Sequence, residues 1–463
     1  MKYLISCLEP SANLHFKEVL AHLKRLNPAC EICGIFDEKL GSPIYKSSEF
    51  SAMGFIEILP LILKAKRVIT QMTRLAAECD RVLLIDSPAF NLPLARAIKE
   101  SGARAEISYY ILPQVWAWKP HRAEKLKAFC DNLLSIWPFE AKFFGADCKG
   151  DKGAVPQEAK NKDAAAQEAK DKDAAPKENT ARPSEQNFIS PNSAPNFADQ
   201  NSKAQNSGNF CEQNSETENS NEPNLTRQGI SQNFASQSSD EPCSAQNSAS
   251  LNLAAQSRAR YFFVGHPLLD EIKFQKTSYE KQGKIAFMPG SRRAEISRLM
   301  PIFRTLAPKF ENSERVLIIP PHLMDQRDEI YGPLDGFSIA NDTPATLKDC
   351  DFAFICSGTA TLEAALIGTP FVLCYKARAF DVWLARKLVK LKHVGLANII
   401  FDFLGEEPLH EELLQGEVSA QNLLAAYERC DAAKFKLASE KLRDYLKFGS
   451  SENVAKILTQ PAS

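Results

Sequence analysis

Short apolar runs alternate with helical segments along most of this chain, and this alternation is the feature that most limits its fold. Each run has about five residues, the usual length of a strand, and leads through a polar or glycine-containing loop into a helix-like stretch. Strands that are apolar throughout and separated by helices are typical of parallel sheets covered on both faces. The sequence therefore predicts an α/β protein with doubly wound, Rossmann-like sheets. The runs lie at 3–7, 82–85, 107–111, 132–136, 261–264, 284–288, 316–319 and 352–355, and one more strand is predicted at 369–376.

Length and composition limit the class of protein further. A chain of 463 residues is longer than one hydrophobic core usually serves, so two domains are expected. The formal net charge of -1 gives no reason to expect nucleic acid as a partner. The 12 cysteines have no disulfide-like spacing, and the close pair Cys30 and Cys33 has no second pair at metal-ligand spacing. Reduced thiols and a cytoplasmic location are therefore expected.

One long segment interrupts the pattern. Residues 149–257 consist mainly of Asn, Ser, Gln, Ala, Glu, Lys and Pro. Too few apolar residues are present to offset the entropy of ordering, so the segment is predicted to be a disordered, low-complexity insertion. The apolar run that follows it supplies one more strand to the first domain. The domains are then expected at 1–148 plus 258–275 and at 280–440.

Polar side chains follow the strands of the first domain, at the edge where open parallel sheets bind ligands. They are Glu9, Asn13 and His15 after the first strand, Asp86 after the strand at 82–85, and Trp116 after the strand at 107–111. A carboxylate such as Asp86 could act here as a general base, although an aspartate that caps the next helix would look the same. Trp116 could stack on a sugar ring or fill a core.

Two strand-to-helix turns in the second half have the composition of phosphate-binding sites. One contains Ser357, Gly358 and Thr359, and the other contains Gly290, Ser291 and Arg292. Such turns offer free backbone N–H groups and the positive end of a helix dipole, and an arginine adds a fixed charge. Glu363, one helical turn further on, could reach a ribose. Ordinary helix capping and solvated arginines would explain the same residues without a ligand.

An Asp-x-Asp motif, which many sugar transferases use to hold a metal, is formed by Asp349 and Asp351. Both residues precede the strand at 352–355, so we expect them at its amino end, opposite the ligand side. The motif is therefore not expected to bind a metal here.

The stretch at 54–69 is apolar on nearly every side and then basic. Its apolar part is too short to span a bilayer. A helix lying on a membrane surface fits the pattern, and so does ordinary core packing. The residues of this candidate membrane patch are Phe55, Ile58, Leu59 and Ile62.

Several motifs together resemble the lipid-A-disaccharide synthase family, in that family's order and across both domains. They are Asp-Ser-Pro-Ala-Phe-Asn at 86–91, Val-Trp-Ala-Trp at 115–118, Gly-His-Pro-Leu at 265–268, Pro-Gly-Ser-Arg-Arg-Ala-Glu-Ile at 289–296 and Ser-Gly-Thr-Ala-Thr-Leu-Glu at 357–363. The resemblance implies a GT-B fold, with two facing Rossmann-like domains and a C-terminal helix, at 441–463, that returns to the first domain. It implies transfer of an acylated glucosamine from UDP-2,3-diacylglucosamine to 2,3-diacylglucosamine 1-phosphate (lipid X), giving a β-1,6-linked disaccharide 1-phosphate and UDP.

With this resemblance, the site residues acquire roles in an inverting transfer. Asp86 is the expected base, and neither a metal nor another cofactor is expected, because N–H groups and Arg292 meet the leaving diphosphate. The residues expected to bind the UDP-sugar are Gly290, Ser291, Arg292, Glu295, Ser357, Gly358, Thr359, Glu363 and Asn398. Those expected to bind the acceptor are Glu9, Ser11, Asn13, His15, Asn91, Gln114 and Trp116.

The chain also departs from the family pattern. The first family motif, Ser-Gly-Glu-Pro-Ser-Gly-Asp-Leu-His-Gly, appears as Ser-Cys-Leu-Glu-Pro-Ser-Ala-Asn-Leu-His-Phe at 6–16, so contacts to the acceptor can differ. Ala89 stands where the family often has a second acid, and Leu-Pro-Asn appears as Leu-Ala-Asn at 396–398. If one carboxylate of the 86–91 motif is essential, Asp86 is the one retained.

The expected partners are the two lipid-linked sugars and the cytoplasmic face of the inner membrane, to which the protein would bind peripherally. The acyl-chain preference and the oligomeric state, a homo-oligomer included, stay open. A UDP-sugar epimerase of the same architecture would share the Ser-Gly-Thr turn and Glu363. A non-catalytic nucleotide-binding protein could keep the UDP site without a base, but Asp86 at a strand end speaks against it.

Overall fold

The computed structural model describes residues 1–51, 58–117, 119–145, 259–272, 274–377 and 391–461, and leaves the side chains of 51–63 undescribed. The predicted insertion at 149–257 and Phe55 of the candidate membrane patch lie outside these residues. The described parts form two parallel sheets, each covered by helices.

The first sheet has 7 strands in the order β3-β2-β1-β4-β5-β6-β7, and neighbouring strands pair in parallel. The strands are β1 Lys2–Cys7, β2 Glu31–Phe36, β3 Tyr45–Lys46, β4 Arg81–Ile85, β5 Glu106–Tyr110, β6 Asn132–Ser135 and β7 Arg260–Phe263. Every residue of β4 is buried, because helices cover both faces of the sheet. β7 follows the insertion in sequence and pairs with β6, so it belongs to the first sheet.

The helices of this first domain are α1 Pro10–Leu26, α2 Ser48–Ser51, α3 Ile58–Ala76, α4 Pro88–Glu100, α5 Arg122–Phe129, α6 Ala141–Phe144 and α7 Pro267–Glu271. Proline occupies the start of α1, α4 and α7, where its missing N–H group costs no hydrogen bond. Only short loops separate these three helices from the ends of β1, β4 and β7.

The second sheet has 6 parallel strands in the order β10-β9-β8-β11-β12-β13. The strands are β8 Lys284–Met288, β9 Glu314–Ile318, β10 Ser338–Ala340, β11 Phe352–Cys356, β12 Phe371–Tyr375 and β13 Glu411–Leu414. The helices of this second domain are α8 Arg293–Leu306, α9 Arg327–Tyr331, α10 Thr343–Asp349, α11 Thr359–Ile367, α12 Leu396–Leu404 and α13 Ala420–Arg429. Short 3₁₀ turns occupy Glu38–Leu40, Pro138–Glu140, Ala307–Phe310, Pro321–Gln326 and Gln415–Glu417.

The chain ends with two helices that join the domains, α14 Ala432–Leu446 and α15 Ser450–Thr459. α14 packs on α11 of the second domain, where Ser439 donates a 2.6 Å hydrogen bond to the carbonyl of Ala365. α15 packs on α1 of the first domain, and Asp270 of α7 accepts the N–H groups of Gly449 and Ser451 at 2.8 and 2.7 Å. Residue 441, the expected start of the returning segment, thus lies inside α14, and the returning helix begins at Ser450.

A glycine makes the passage between these helices possible. A Cβ atom on Gly265 would lie 2.9 Å from the carbonyl oxygen of Lys447, which is too close for any side chain. The backbone of Gly265 is also left-handed, with φ of 92°. The Gly-His-Pro-Leu motif therefore lets the chain before α15 lie directly on the end of β7.

In both sheets the chain winds outward in two directions from a central pair of strands, β1 with β4 and β8 with β11. The predicted α/β class with two Rossmann-like, doubly wound domains, which is the arrangement of a GT-B fold, is confirmed. At such a pair the loops after the strands diverge, and the crevice between them is where open α/β sheets bind ligands.

Candidate active site

Several of the predicted site residues lie at the carboxyl ends of the central strands of both sheets, whereas Gln114 and Trp116 follow β5 and Asn398 lies in α12. Glu9 follows β1 and Asp86 follows β4 in the first domain, while residues 290–292 follow β8 and residues 357–359 follow β11 in the second. Both topological switch points therefore carry candidate residues.

The Asp-x-Asp motif lies at the other end of the second sheet, as predicted. The carboxylate of Asp351 accepts hydrogen bonds from the backbone N–H groups of Gln282 and Gly283, both at 2.7 Å. These bonds tie the start of β8 to the start of β11. Asp351 thus has a structural role away from the crevice.

The turn that carries Asp86 has a strained backbone. Asp86 and Ser87 both have positive φ, at 49° and 45°, a region that non-glycine residues rarely occupy. The N–H of Asp86 donates to the carbonyl of Tyr110, and its own carbonyl accepts from the side chains of Tyr109 at 2.6 Å and Asn91 at 2.8 Å. Strain held in place by surrounding bonds is common in active sites.

The carboxyl of Asp86 has a raised proton affinity. Burial is the main cause that raises its pKa to about 6, the nearby Glu9 adds to the effect, and the Ser87 N–H and His15 oppose it. Glu9 itself accepts a 3.2 Å hydrogen bond from the Ser87 hydroxyl. A carboxyl with a pKa near 6 is about nine-tenths ionised at pH 7 and is a stronger base than an ordinary aspartate.

His15 is joined to a residue that the sequence did not indicate. Its Nδ1 makes a short contact with Glu271 at the end of α7, which lies 256 positions away in the chain. His266, just before α7, is buried against the ring of Trp137, and burial lowers its pKa to about 3. The 265–268 motif marked this region, but the pairing of His15 with Glu271 depends on how α1 and α7 pack.

The other predicted acceptor residues divide into buried and exposed groups. Asn13 is buried, donates to the carbonyl of Glu9 at 2.8 Å and accepts from the N–H of Asp37 at 2.7 Å. Its amide, like that of Asn91, therefore shapes the site loops from inside. Ser11 and Gln114 are exposed at the edge of the site.

In the second domain, the turn after β8 needs a glycine. Gly290 has φ of 102°, and a Cβ there would lie 2.7 Å from the carboxylate of Glu295 and 3.2 Å from the sulfur of Cys356. Glu295 is buried and pairs with Arg292 at 3.2 Å, while the Arg292 side chain stays 80% exposed. Ser291 is exposed as well. The guanidinium is thus tethered at the site and still open to a ligand.

Two helices begin at this switch point without a capping side chain, namely α8 and α11. In the same domain α10 and α13 are capped by the side chains of Asp342 and Ser419, whereas α9 and α12 also lack a capping side chain. At the start of α11, Gly358 and Thr359 are exposed and Ser357 is partly buried. The first N–H groups of both helices are therefore available to an anion such as a diphosphate.

Glu363 lies on α11 just beyond this turn. Burial is the main cause that raises its pKa to about 7, and Glu271 and Asp342 contribute. Since Glu271 belongs to the first domain, its field reaches a predicted nucleotide-binding residue of the second. The acceptor half-site, which consists of the predicted acceptor-binding residues of the first domain, and the donor half-site, which consists of the predicted UDP-sugar-binding residues of the second, are therefore linked by this electrostatic interaction.

Asn398 is buried and its amide is occupied by protein groups. It donates to the carbonyl of His410 and to the carboxylate of Glu412, at 2.9 and 2.8 Å, and accepts from the N–H groups of Leu409 and His410. These bonds fix the start of α12. An effect of Asn398 on the nucleotide would then act through the backbone that it holds.

Two absences concern only the described residues. No group of three or more His, Cys, Asp or Glu side chains among them is arranged to hold a metal ion. In the same part of the chain, no helix has the length and apolar character needed to cross a membrane. Ile58, Leu59 and Ile62 of the candidate membrane patch lie in the first turns of α3, and their side chains are not described.

Comparisons with known proteins agree with the motifs. A family model described as lipid-A-disaccharide synthetase matches residues 3–149 and 255–459. The lipid-A-disaccharide synthase of Campylobacter jejuni strain RM1221 is 39% identical over 478 aligned positions, covering 99% of both chains. That of Helicobacter pylori strain G27 is 34% identical, covering 98% of this chain and 96% of the relative.

Among solved structures, a UDP-GlcNAc 2-epimerase from Neisseria meningitidis bound to UDP-GlcNAc covers 99% of both chains with a TM-score of 0.48 and 9% identity. That likeness is too distant to bear on the reaction. The family model and the curated relatives, in contrast, extend over both domains at identities above 30%. This chain belongs to the lipid-A-disaccharide synthase family.

Proposed function

We propose that this chain transfers 2,3-diacylglucosamine from UDP to the 6-hydroxyl of 2,3-diacylglucosamine 1-phosphate, with inversion at the anomeric carbon. Its family supports glycosyl transfer in the synthesis of lipid A disaccharide. The observation that carries the finer proposal is Asp86, a carboxyl with a pKa of about 6 at the switch point of the first sheet.

In this mechanism Asp86 removes the proton of the acceptor hydroxyl as the oxygen attacks. An inverting transfer needs one such base on the acceptor side, because attack occurs on the face opposite the leaving UDP. The bonds from Tyr109 and Asn91 to the backbone carbonyl of Asp86 hold the strained turn that carries the base in one conformation. Fixed geometry of this kind is a large part of the catalytic effect.

The leaving diphosphate would be stabilised by the second domain. The uncapped starts of α8 and α11 offer N–H groups, and Arg292 offers a permanent positive charge. Glu363 would accept hydrogen bonds from the ribose hydroxyls. With these groups the mechanism requires no divalent metal.

The proposal includes peripheral binding to the cytoplasmic face of the inner membrane, because both substrates carry acyl chains. The start of α3 would enter the surface, with the exposed Lys66 and Arg67 toward anionic head groups.

One incubation tests the reaction. The protein is mixed with UDP-2,3-diacylglucosamine and 2,3-diacylglucosamine 1-phosphate, with and without EDTA, and the products are read by mass spectrometry. A disaccharide 1-phosphate plus UDP in both samples is expected. An isomerised UDP-sugar would instead indicate an epimerase, no conversion would indicate a binding protein, and loss of product in EDTA would contradict the metal-free mechanism.

A further inference from the structure

The last turn of α12 inserts a phenylalanine into an aromatic cluster of the first domain. Phe403 stacks on Phe139, with ring centroids 4.2 Å apart and planes at 18°. Trp116 meets it edge-on at 5.9 Å, and the ammonium group of Lys142 lies 4.4 Å from its centroid. Phe143 also meets it edge-on at 6.2 Å, so one side chain of the second domain is held by four groups of the first.

A buried acid, Glu140, fixes one of the aromatic partners of Phe403, namely Trp116. The Trp116 indole donates a 3.0 Å hydrogen bond to Glu140, whose other carboxylate oxygen receives a short bond from Ser135. Glu140 is completely buried, and burial raises its pKa to about 8, so the neutral form predominates at pH 7. A buried polar group persists where its hydrogen bonds are satisfied, and here they hold the indole of Trp116 in place.

The other end of α12 is anchored in the second domain. The carboxylate of Glu412 accepts the N–H groups of Val394 and Gly395 at 2.8 and 3.0 Å, and the Asn398 amide at 2.8 Å. α12 therefore runs from the predicted nucleotide side to the loop that carries Gln114 and Trp116 on the predicted acceptor side. It is a short connection between the two half-sites, bonded to the second domain at one end and packed on the first domain at the other.

We propose that Phe403 is a positioning residue for glycosyl transfer: seated on Trp116 and Phe139, it fixes the acceptor half-site relative to the donor half-site. This inference rests on the proposed function, because positioning matters only if two substrates react across the crevice. A displacement of about 1 Å between reacting groups can cost about 100-fold in rate. A contact that sets the separation of two domains can therefore control turnover without touching either substrate.

The main test compares truncation of this ring with its conservative replacement. Phe403→Ala should lower kcat about 10- to 100-fold, while the Kd of UDP and the KM of each substrate change less than about threefold. Phe403→Tyr keeps the aromatic contacts and should restore most of kcat. The matched control is Phe337→Ala, which removes a partly buried ring of the second domain that packs edge-on against Phe287 at 5.3 Å. This control should lose thermal stability and keep kcat.

Variants of the buried acid Glu140 provide a second test. In Glu140→Gln the amide oxygen can accept from Trp116 and the NH2 group can donate to the Ser135 hydroxyl, which then donates to the carbonyl of Trp137. This variant should behave like the wild type, whereas Glu140→Ala releases the indole and should reproduce the kcat loss of Phe403→Ala. Because both changes break one contact, the double variant should lose no more than either single variant. Unchanged kcat in Phe403→Ala, or an equal loss in Phe337→Ala, would overturn the proposal.

A readout independent of turnover separates this inference from the proposed function. In Phe403→Ala, amide hydrogen exchange should rise at 112–117 and 138–144 of the first domain, where the ring is seated. If the wild type made no disaccharide, the proposed function would fail, and the role of Phe403 in transfer would fail with it. If the wild type were active and the variant showed neither faster exchange nor lower kcat, only the positioning role would be refuted.

Discussion

Asp86 is the residue on which the proposed chemistry depends most. Asp86→Asn keeps the size of the side chain and removes the base, so turnover should fall by about 10²- to 10⁴-fold. The affinity for UDP should stay nearly unchanged, since the nucleotide is bound by the other domain. Asp349→Asn is the control, because this acid lies at the opposite end of the second sheet. Unchanged turnover in Asp86→Asn, measured by product formation, would remove Asp86 from the role of base.

The charged groups around Asp86 predict how the transferase activity of the protein changes with pH. A base must be ionised, so kcat/KM should fall as the pH drops below about 6, the pKa of this carboxyl. Glu9 raises that pKa and His15 lowers it. Glu9→Gln should therefore move the acidic limb to lower pH, and His15→Gln should move it to higher pH.

The measurement is the pH profile of kcat/KM for the two variants and the wild type. Shifts in opposite directions are the expected result. Shifts in the same direction, or none, would mean that another group sets the acidic limb.

Local sequence features position the site residues that were predicted, whereas packing between distant segments positions those that were missed. Asp86 and the turns at 290–292 and 357–359 are placed by local features, namely the end of an apolar strand followed by a helix. Glu271 contacts His15, which lies 256 positions away in the chain. Glu140 accepts a hydrogen bond from the indole of Trp116, which lies 24 positions away. Neither acid has a sequence signal of its own, because each pair forms only when separate helices and loops pack together.

At the scale of elements, the strands missed by the apolar pattern have a common position. β3, β10 and β13 are edge strands, and β2 lies next to an edge. The central strands are buried on both faces and are apolar throughout, whereas edge strands are partly exposed and need no such run. In β2, for example, the first three residues are exposed or only partly buried. The apolar pattern therefore predicted the central strands of both sheets and, among the four edge strands, only β7.

α3 is the element on which the membrane proposal can be tested. Changing Ile58, Leu59 and Ile62 together to Ser should release the protein from vesicles that contain anionic lipid, because apolar insertion is lost. The folded state should be retained, as judged by the melting temperature. Cosedimentation with vesicles is the measurement.

The matched control changes buried residues of the same helix. Val68 and Met72 are 2% and 0% exposed and face the core, so Val68→Ser and Met72→Ser should lower the melting temperature markedly. If the triple variant at the start of α3 lost stability in the same way, that segment would belong to the core. The membrane role of the patch would then be wrong.

At the scale of the whole molecule, the last helix is a second connection between the two domains, besides the contact of Phe403 with the first domain. α15 belongs in sequence to the end of the second domain, yet it packs on α1 of the first. It buries Val454 and Leu458 completely or nearly so, and Ser450 bonds to the hydroxyl of Tyr110 at 2.8 Å. Each such apolar side chain contributes about 1.5–3 kcal/mol, so the two together contribute about 3–6 kcal/mol, a substantial fraction of the stability of a domain, about 5–15 kcal/mol.

Removing residues 449–463 should therefore destabilise the first domain more than the second, although the deleted segment follows the second in sequence. Hydrogen exchange measured by peptide is the suitable readout, since it reports each sheet separately. Protection should fall most in α1 and β7, which pack against α15 or next to it, and least in β8 and β11. Equal loss in both sheets would mean that the domains unfold as one unit. Loss confined to the second sheet would contradict the assignment of α15 to the first domain's core.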